Sequence, residues 1–165
     1  MLLYIIRHAW AEDRNDLLWA DDGHRPLTAE GKARFARMVE ILAAGPFAPE
    51  IVATSPLVRC GQTAELVSKG LARRPKIVEL SALAPGGELA GLLAWTDREA
   101  KRKEQIAWVG HAPDVSHLAG ELLGAPPWAI HFSKGAIAAL AFAGLPRAGR
   151  GELRWLMTGK ALGAS

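Results

Sequence analysis

The chain has 165 residues, half of them hydrophobic, and its 20 basic and 17 acidic side chains leave a net charge of +3. This length suits one domain over residues 1–165, and a mild charge without a dense basic block argues against a nucleic-acid partner. Cys60 is the only cysteine, and no signal peptide or apolar run near the roughly 20 residues that span a bilayer is evident, so we expect a cytoplasmic protein without disulfides or a membrane partner.

Short apolar runs alternate with segments of helical periodicity along the chain. The runs predict parallel strands at Leu2–Ile6, Ile51–Thr54, Lys76–Leu80 and Gln105–Val109. The periodic segments predict helices opening at Thr28 and running over Cys60–Leu71, Glu88–Thr96 and Asp114–Leu123. Ala136–Ala143 and Glu152–Met157 are expected to form an antiparallel edge, and the tail Gly159–Ser165 is expected to fray. This order predicts an α/β fold, a three-layer α/β/α sandwich with a mainly parallel sheet.

Three predicted strands are followed closely by histidine or arginine. The first is followed by Arg7-His8, the fourth by Gly110-His111, and the second by a turn that carries Arg59. Ligands of open α/β sheets bind at the carboxyl ends of strands, so we expect these side chains to meet there. A lone histidine after a strand is more often structural, but that interpretation does not account for three matching strand ends.

Two arginines and two histidines suit a phosphoryl group. A guanidinium donates two parallel hydrogen bonds to phosphoryl oxygens and keeps its charge. A neutral imidazole can attack phosphorus through one nitrogen and donate a hydrogen bond through the other. The set therefore indicates phosphoryl chemistry.

Other residues near these strand ends are candidates for substrate contact. Glu12–Pro26 is long for a connection between a strand and a helix, and such loops are often functional. Trp10 lies just before this loop and His24 lies within it, and both are predicted to contact substrate. Ser55 either binds phosphate or shapes the turn before Pro56.

Four segments carry a family resemblance: Arg7-His8-Ala9, Arg25–Gly31 (RPLTAEG), Ser55–Ala64 (SPLVRCGQTA) and Gly110-His111. In this order and spacing they resemble the signatures of the histidine phosphatase (phosphoglycerate mutase-like) superfamily, with Ala9 in place of that family's glycine. The resemblance runs from Met1 to about Gly124. The short length, with no large insertion after the third strand, is similar to the SixA-type branch, the bacterial phosphohistidine phosphatases.

The resemblance implies a role for each matched residue. His8 would be the nucleophile that becomes a transient phosphohistidine, Arg7 and Arg59 would clamp the phosphoryl oxygens, and His111 would stabilise the transferring group. His8 must be neutral to attack, and two adjacent guanidiniums are expected to disfavour its protonation. The resemblance implies no cofactor, and five scattered histidines with one cysteine give no metal-ligand pattern.

The general acid is less clear from the sequence. Many members of the superfamily carry a glutamate after the third strand, and here Glu79 and Glu88 bracket that region without a recognisable acid motif. Asp114 is an alternative donor, although its simpler role is as the N-cap of the following helix. General acid catalysis contributes typically about 10²–10⁴-fold, and an imidazole leaving group needs it less than an alkoxide does. The missing acid therefore favours phosphohistidine as substrate.

The sequence thus predicts a metal-independent phosphatase whose partner is a phosphorylated protein, such as a histidine phosphotransfer domain. The first alternative is the same chemistry on a small phosphorylated metabolite, a sugar phosphate or nucleotide. The second is a non-catalytic module that binds phosphorylated partners. Mutase activity would need a second enclosed pocket, for which the chain is short.

Overall fold

The structure, a computed structural model, describes residues 1–15, 17–99 and 103–164. Its strands are β1 (Leu2–Arg7), β2 (Ile51–Thr54), β3 (Lys76–Glu79), β4 (Gln105–Gly110), β5 (Ile137–Ala141) and β6 (Glu152–Met157). Its α-helices are α1 (Ala29–Ala43), α2 (Val58–Gly70), α3 (Leu89–Glu99) and α4 (Asp114–Leu123). Two short 3-10 turns cover Asp22–His24 and Ser81–Leu83. None of the helices among these residues is long and apolar enough to cross a membrane.

One sheet contains the strands in the order β3-β2-β4-β1-β5-β6. The four strands from β3 to β1 run parallel, whereas β5 and β6 pair antiparallel at the other side. The predicted mainly parallel sheet with an antiparallel edge is confirmed. β1 and β4 each extend one residue beyond the predicted apolar run because Arg7 and Gly110 still pair with each other.

Alternation along the buried strands builds a core on each face of the sheet. Leu3 and Ile5 of β1 pack with α3 and α4, while Tyr4 and Ile6 pack with α1 and α2. All four side chains are fully buried, and each contributes about 1.5–3 kcal/mol through removal of apolar surface from water. The three-layer α/β/α sandwich predicted from the sequence is therefore confirmed.

The capping residues predicted from the sequence are found at the start of α1 and at the end of α4. Thr28 is the N-cap of α1, and its Oγ1 accepts a hydrogen bond from the Gly31 N–H at 2.8 Å. Gly124 ends α4 in the left-handed conformation with φ of +66°, which glycine adopts without steric cost. These local signals fix where two of the covering helices begin and end.

The C-terminal segment is packed, so the prediction of a frayed tail over Gly159–Ser165 was wrong. Ala164 is 2% exposed, and its carbonyl accepts a hydrogen bond from Arg34 Nε on α1. Leu162 packs against the same core. The segment forms turns without helical or strand periodicity, which is why its packing was not visible in the sequence; Ser165 lies outside the described residues.

Candidate active site

Adjacent strands deliver the predicted side chains to one edge of the sheet. The His8 N–H donates to the carbonyl of Gly110, the last residue of β4, at 2.9 Å. The Ser55 N–H, just past β2, donates at 3.0 Å to the carbonyl of the residue before Gly110. His111 follows Gly110 directly, and Arg59 lies in the first turn of α2. The strand pairing therefore gathers these residues at the carboxyl ends of β1, β2 and β4.

The imidazole of His8 is held in one tautomer. Its Nδ1 lies 2.7 Å from the carbonyl oxygen of Ala9, and because a carbonyl only accepts, Nδ1 carries the proton and Nε2 the free lone pair. The Gly135 N–H donates to the His8 carbonyl at 3.0 Å. Gly135 has φ of +72°, and a Cβ there would lie 2.9 Å from the ring of Trp10, so this support requires glycine.

His8 is neutral over the whole physiological pH range. Its pKa is lowered from 6.5 to about 3, chiefly by burial; the hydrogen bond with Ala9 opposes this decrease, and the charges of Arg59, Arg7 and Arg25 add smaller contributions to it. The sequence interpretation attributed the neutrality to two guanidiniums. The structure corrects the cause, because loss of water around a side chain that is 6% exposed outweighs the arginine charges.

We expect the free energy of unfolding to fall as the pH is lowered from about 6.5 towards 3. Folded His8 stays neutral down to its pKa of about 3, whereas in the unfolded chain it binds a proton near pH 6.5. The unfolded state therefore binds more protons in this interval, and one such group gives a slope of up to about 1.4 kcal/mol per pH unit. Urea unfolding between about pH 4 and 7, on the wild type and His8→Gln, measures this; equal slopes in both proteins would contradict it.

Arg7 and Arg59 reach the edge from β1 and α2 and are anchored by main-chain carbonyls. Arg7 Nη1 donates to the carbonyl of Phe132 and Arg59 Nη1 to that of Asp22, each at 2.7 Å. The Nε atoms of both arginines and Nε2 of His111 are buried and have no hydrogen-bond partner in the part of the chain that the structure describes. Leaving a buried polar group unsatisfied costs about 1–3 kcal/mol, so this edge suits a ligand that brings several acceptor oxygens.

Asp22 and Arg25 also belong to this edge, although the sequence analysis gave neither a role. Asp22 Oδ2 lies 2.9 Å from Arg59 Nη2, and its Oδ1 lies 2.9 Å from Arg25 Nε. Arg25 Nη1 donates to the carbonyl of Glu12 at 2.7 Å. The signal in the sequence was an acid and a base three residues apart in the long loop, a spacing that is common on exposed turns.

Thr63 joins the two segments that carry His8 and Arg59. It is fully buried, and its Oγ1 accepts from the Ala9 N–H at 3.0 Å while donating to the Arg59 carbonyl at 2.7 Å. Its position four residues after Arg59 on α2 lets the hydroxyl reach the carbonyl one turn back. Thr63 therefore fixes the spacing between the nucleophile candidate and one arginine.

Thr63→Val is expected to reduce the free energy of unfolding by about 1–3 kcal/mol, because the buried Ala9 N–H loses its acceptor. Chemical denaturation measures the change. Thr96→Val is a matched control, since the Thr96 hydroxyl is buried without a hydrogen-bond partner among the described residues. A loss in Thr63→Val no larger than that in Thr96→Val would contradict the assigned role.

His111 lies against Asp114, which is not the N-cap that we expected. Pro113 is the N-cap of α4, and Asp114 is its first residue. The Asp114 carboxylate turns back, with Oδ2 3.4 Å from His111 Nε2 and accepting the Gly86 N–H at 3.0 Å. Burial lowers the pKa of His111, Asp114 opposes this decrease and Arg59 adds to it. The contact with Asp114 lies within ion-pair distance but lacks hydrogen-bond geometry, so Nε2 remains without a hydrogen bond in the described structure.

The three predicted acids differ in exposure and in what they contact. Glu79 is exposed at the end of β3, the outer strand of the sheet. Glu88 is exposed just before α3 and lines a cavity of about 420 Å³ together with Asp114. Within the described structure, Asp114 alone of the three contacts His111. The geometry therefore favours Asp114 over the two glutamates.

The three predicted substrate contacts are placed differently. Ser55 Oγ accepts from the Leu57 N–H at 3.4 Å, a contact that shapes the turn into α2. The guanidinium carbon of Arg34 lies 4.1 Å from the centroid of the Trp10 ring, which is partly buried and packs against the core below α1. His24 lies on the exposed 3-10 turn beside Asp22. Of the three, His24 is the side chain with most freedom to meet a ligand.

Cys60 is buried beside Arg59. Its side chain is fully enclosed, and burial raises the pKa of the thiol to about 12.

Among residues 1–15, 17–99 and 103–164, no three His, Cys, Asp or Glu side chains form a group that could hold a metal ion.

A neutral histidine among arginines, at the carboxyl edge of a mainly parallel sheet, defines a class of site that handles phosphoryl groups. α2 and α4 begin at the same edge without a side-chain cap, so their positive ends add to its attraction for anions. The family model described as "Histidine phosphatase superfamily (branch 1)" matches residues 3–132. The chain belongs to this superfamily, which is a family of phosphatases.

Individual relatives agree with this assignment. The structure of the protein histidine phosphatase SixA in complex with tungstate is 29% identical, with a TM-score of 0.81, and the match covers 98% of this chain and 99% of that one. A protein from Nakamurella multipartitia assigned as the phosphohistidine phosphatase SixA is 25% identical, with a TM-score of 0.76 and 95% of each chain covered. An uncharacterized protein of Picosynechococcus sp. is 40% identical over 121 residues, 72% of this chain and 71% of its own length. The phosphoglycerate mutase-like fold predicted from the sequence is thus confirmed.

Proposed function

We propose that this protein hydrolyses a phosphoryl group through a covalent phosphohistidine on His8, and that its substrate is a phosphohistidine side chain in a protein partner. The observation that carries the proposal is the tautomer of His8, whose Nδ1 is bound by Ala9 so that Nε2 is the free nucleophile. The unpartnered nitrogens of Arg7, Arg59 and His111 support it as donors for the phosphoryl oxygens.

In the first step, the lone pair of His8 Nε2 attacks phosphorus and the bond from phosphorus to the leaving imidazole breaks. Negative charge spread over three equatorial oxygens is stabilised by the guanidiniums of Arg7 and Arg59. The fixed hydrogen bond with Ala9 lets Nδ1 share the positive charge that develops on the His8 ring. The leaving imidazole takes up a proton as it departs.

In the second step, water attacks the phosphorus atom, the bond to His8 Nε2 breaks, and inorganic phosphate leaves. His111 is positioned to hydrogen-bond the transferring group through Nε2, which lacks another partner in the described structure. Asp114, 3.4 Å from that nitrogen, is our candidate for the proton donor and acceptor of the two steps. No metal or cofactor enters this scheme.

The choice of a protein-borne phosphohistidine rests on two supports. One is the similarity over nearly the whole chain to the structure named as the protein histidine phosphatase SixA. The other is the short connection from β3 to α3, residues 80–88, which leaves the edge without a large covering insertion. A histidine phosphotransfer domain is the kind of partner that would present its imidazole on an open surface.

Hydrolysis of a small phosphate ester is the second candidate. Asp114 supports it, because an alkoxide leaving group needs an acid and this carboxylate lies beside His111. A phosphoserine phosphatase mutant from Entamoeba histolytica, solved with phosphoserine, has the same fold at 18% identity and a TM-score of 0.67. That likeness is one of fold, so the ester remains the alternative.

The test is steady-state hydrolysis of a phosphohistidine-containing protein beside an aryl phosphate and a panel of sugar phosphates and nucleotides, all with EDTA present. We expect a strong preference for phosphohistidine, unaffected by EDTA. Preference for one small ester would keep the mechanism and overturn the substrate class. Binding of the phosphorylated protein without any turnover would instead support a non-catalytic binding module.

A further inference from the structure

Asp22 contacts the two outer nitrogens of Arg59, the arginine that, in the proposed function, binds the phosphoryl group. Its carboxylate Oδ2 lies 2.9 Å from Arg59 Nη2, and its main-chain carbonyl accepts from Arg59 Nη1 at 2.7 Å. The remaining nitrogen of this guanidinium, Nε, is buried and without a partner in the described structure. One residue of the loop therefore holds both ends of the guanidinium fork.

A phosphoryl group satisfies a guanidinium fork through two parallel charge-assisted hydrogen bonds, and here one carboxylate oxygen and the main-chain carbonyl of Asp22 stand at the same two nitrogens. The Asp22 carboxylate is ionised, because hydrogen bonding to Arg25 and the charge of Arg59 hold its pKa below its usual value. Two anions on one fork repel each other. A phosphoryl group that uses the outer nitrogens of Arg59 must therefore displace Asp22.

The position of Asp22 makes such an exchange feasible. The Asp22 side chain is 36% exposed, whereas that of Arg59 is 7% exposed. When Asp22 leaves Arg59, water can therefore hydrogen-bond the freed carboxylate. Asp22 begins a 3-10 turn of three residues, and none of the residues in that turn is buried. The base of the loop is held separately by the hydrogen bond from the Glu12 N–H to the Pro26 carbonyl at 3.0 Å. The turn can shift while the base of the loop stays in place.

We propose that Asp22 is an internal competitor of the phosphoryl group for Arg59, and that it sets a weak affinity for simple oxyanions such as the product phosphate. The inference rests on the proposed function, since it takes Arg59 as a phosphoryl ligand. Its consequence is that phosphate leaves readily when Asp22 returns to Arg59. Substrate binding exchanges one ion pair for another.

The experiment measures the dissociation constant of inorganic phosphate by calorimetry on the full chain, for the wild type, Asp22→Asn and Asp21→Asn. If Asp22 holds Arg59 in about nine molecules of ten, Asp22→Asn is expected to bind phosphate about tenfold more tightly. Asp21→Asn is the matched control. It removes the same negative charge from the neighbouring residue, Asp21, whose side chain is 69% exposed. Asparagine at that position keeps an oxygen to accept the Gly23 N–H, and phosphate affinity is expected to stay near the wild-type value.

The other outcomes are distinct. Weaker phosphate binding in Asp22→Asn would overturn the proposal and make Asp22 a residue that positions Arg59. Equal tightening in both variants would also overturn it, because the effect would then be one of net charge. If neither the wild type nor Asp22→Asn binds phosphate, the assignment of Arg59 and the proposed function fail together. If the wild type binds and Asp22→Asn is unchanged, the competition alone fails.

Discussion

His8→Ala is expected to abolish turnover and phosphoenzyme formation together. The variant removes the neutral imidazole whose Nδ1 is held by the Ala9 carbonyl, and with it the lone pair that we propose forms the bond to phosphorus. Loss of a covalent nucleophile typically reduces kcat by about 10⁴-fold or more. Rapid-quench labelling with a phosphorus-32 phosphohistidine substrate, followed in the same samples as phosphate release, measures both quantities.

Two other histidine variants make this result specific. His111→Ala is expected to slow turnover while His8 still becomes labelled, because His8 Nε2 forms the bond to phosphorus and His111 assists only by hydrogen-bonding the transferring group. His117→Ala replaces an exposed histidine of α4 and is expected to behave as the wild type. A His8→Ala protein that still acquires acid-labile label would mean that another side chain is the nucleophile.

Arg7→Lys is expected to reduce kcat/KM by about 10²–10³-fold, the size of effect seen when one preorganised donor is removed from a transition state. Arg7 uses Nη1 on the Phe132 carbonyl and leaves Nε for the ligand. A lysine has a single ammonium group and cannot serve both partners at once. Steady-state kinetics on the preferred substrate, with phosphate inhibition in parallel, measure the loss.

The matched control is Arg147→Lys, which alters a surface arginine that donates to both Asp97 carboxylate oxygens, at 2.8 and 3.0 Å. This pair is remote from the catalytic edge in the fold, so kcat/KM should be unchanged. A value for Arg7→Lys close to that of the wild type would show that charge alone suffices. In that case the fork of Arg7 would have no part in stabilising the transition state.

Sequence patterns predicted the sheet well because the buried strands β1, β2, β4 and β5 consist mostly of apolar residues. β2, β6 and α4 have the predicted bounds, and the step from strand to histidine in β1 and β4 predicted the edge at which the site lies. The tail was mispredicted because Ala164 is small and lies outside any periodic pattern, yet it fills space beside α1. Hydrophobic periodicity predicts helices and strands, but it does not predict the packing of irregular segments between them.

Within the candidate site, the residues that the sequence singled out correctly as neighbours were those at or just after strand ends. Asp22 and Thr63 were missed because their roles depend on partners 37 and 54 residues away, Arg59 and Ala9, which only the folded chain brings near. Asp114 was expected to be a cap, but its carboxylate also accepts from the Gly86 N–H, 28 residues away, a partner that only the folded chain brings near. The cause of the low pKa of His8 was missed because burial is a property of the whole fold.

The enclosed thiol of Cys60 has a consequence for how the protein would endure oxidative conditions. Peroxide and related oxidants act on exposed thiolates, and a fully buried thiol with a pKa of about 12 offers almost none at neutral pH. The nucleophile that we propose is a nitrogen of His8, which these oxidants do not attack in the way that they attack a thiolate. We therefore expect hydrolysis by this protein to continue under oxidising conditions that inactivate phosphatases with a cysteine nucleophile.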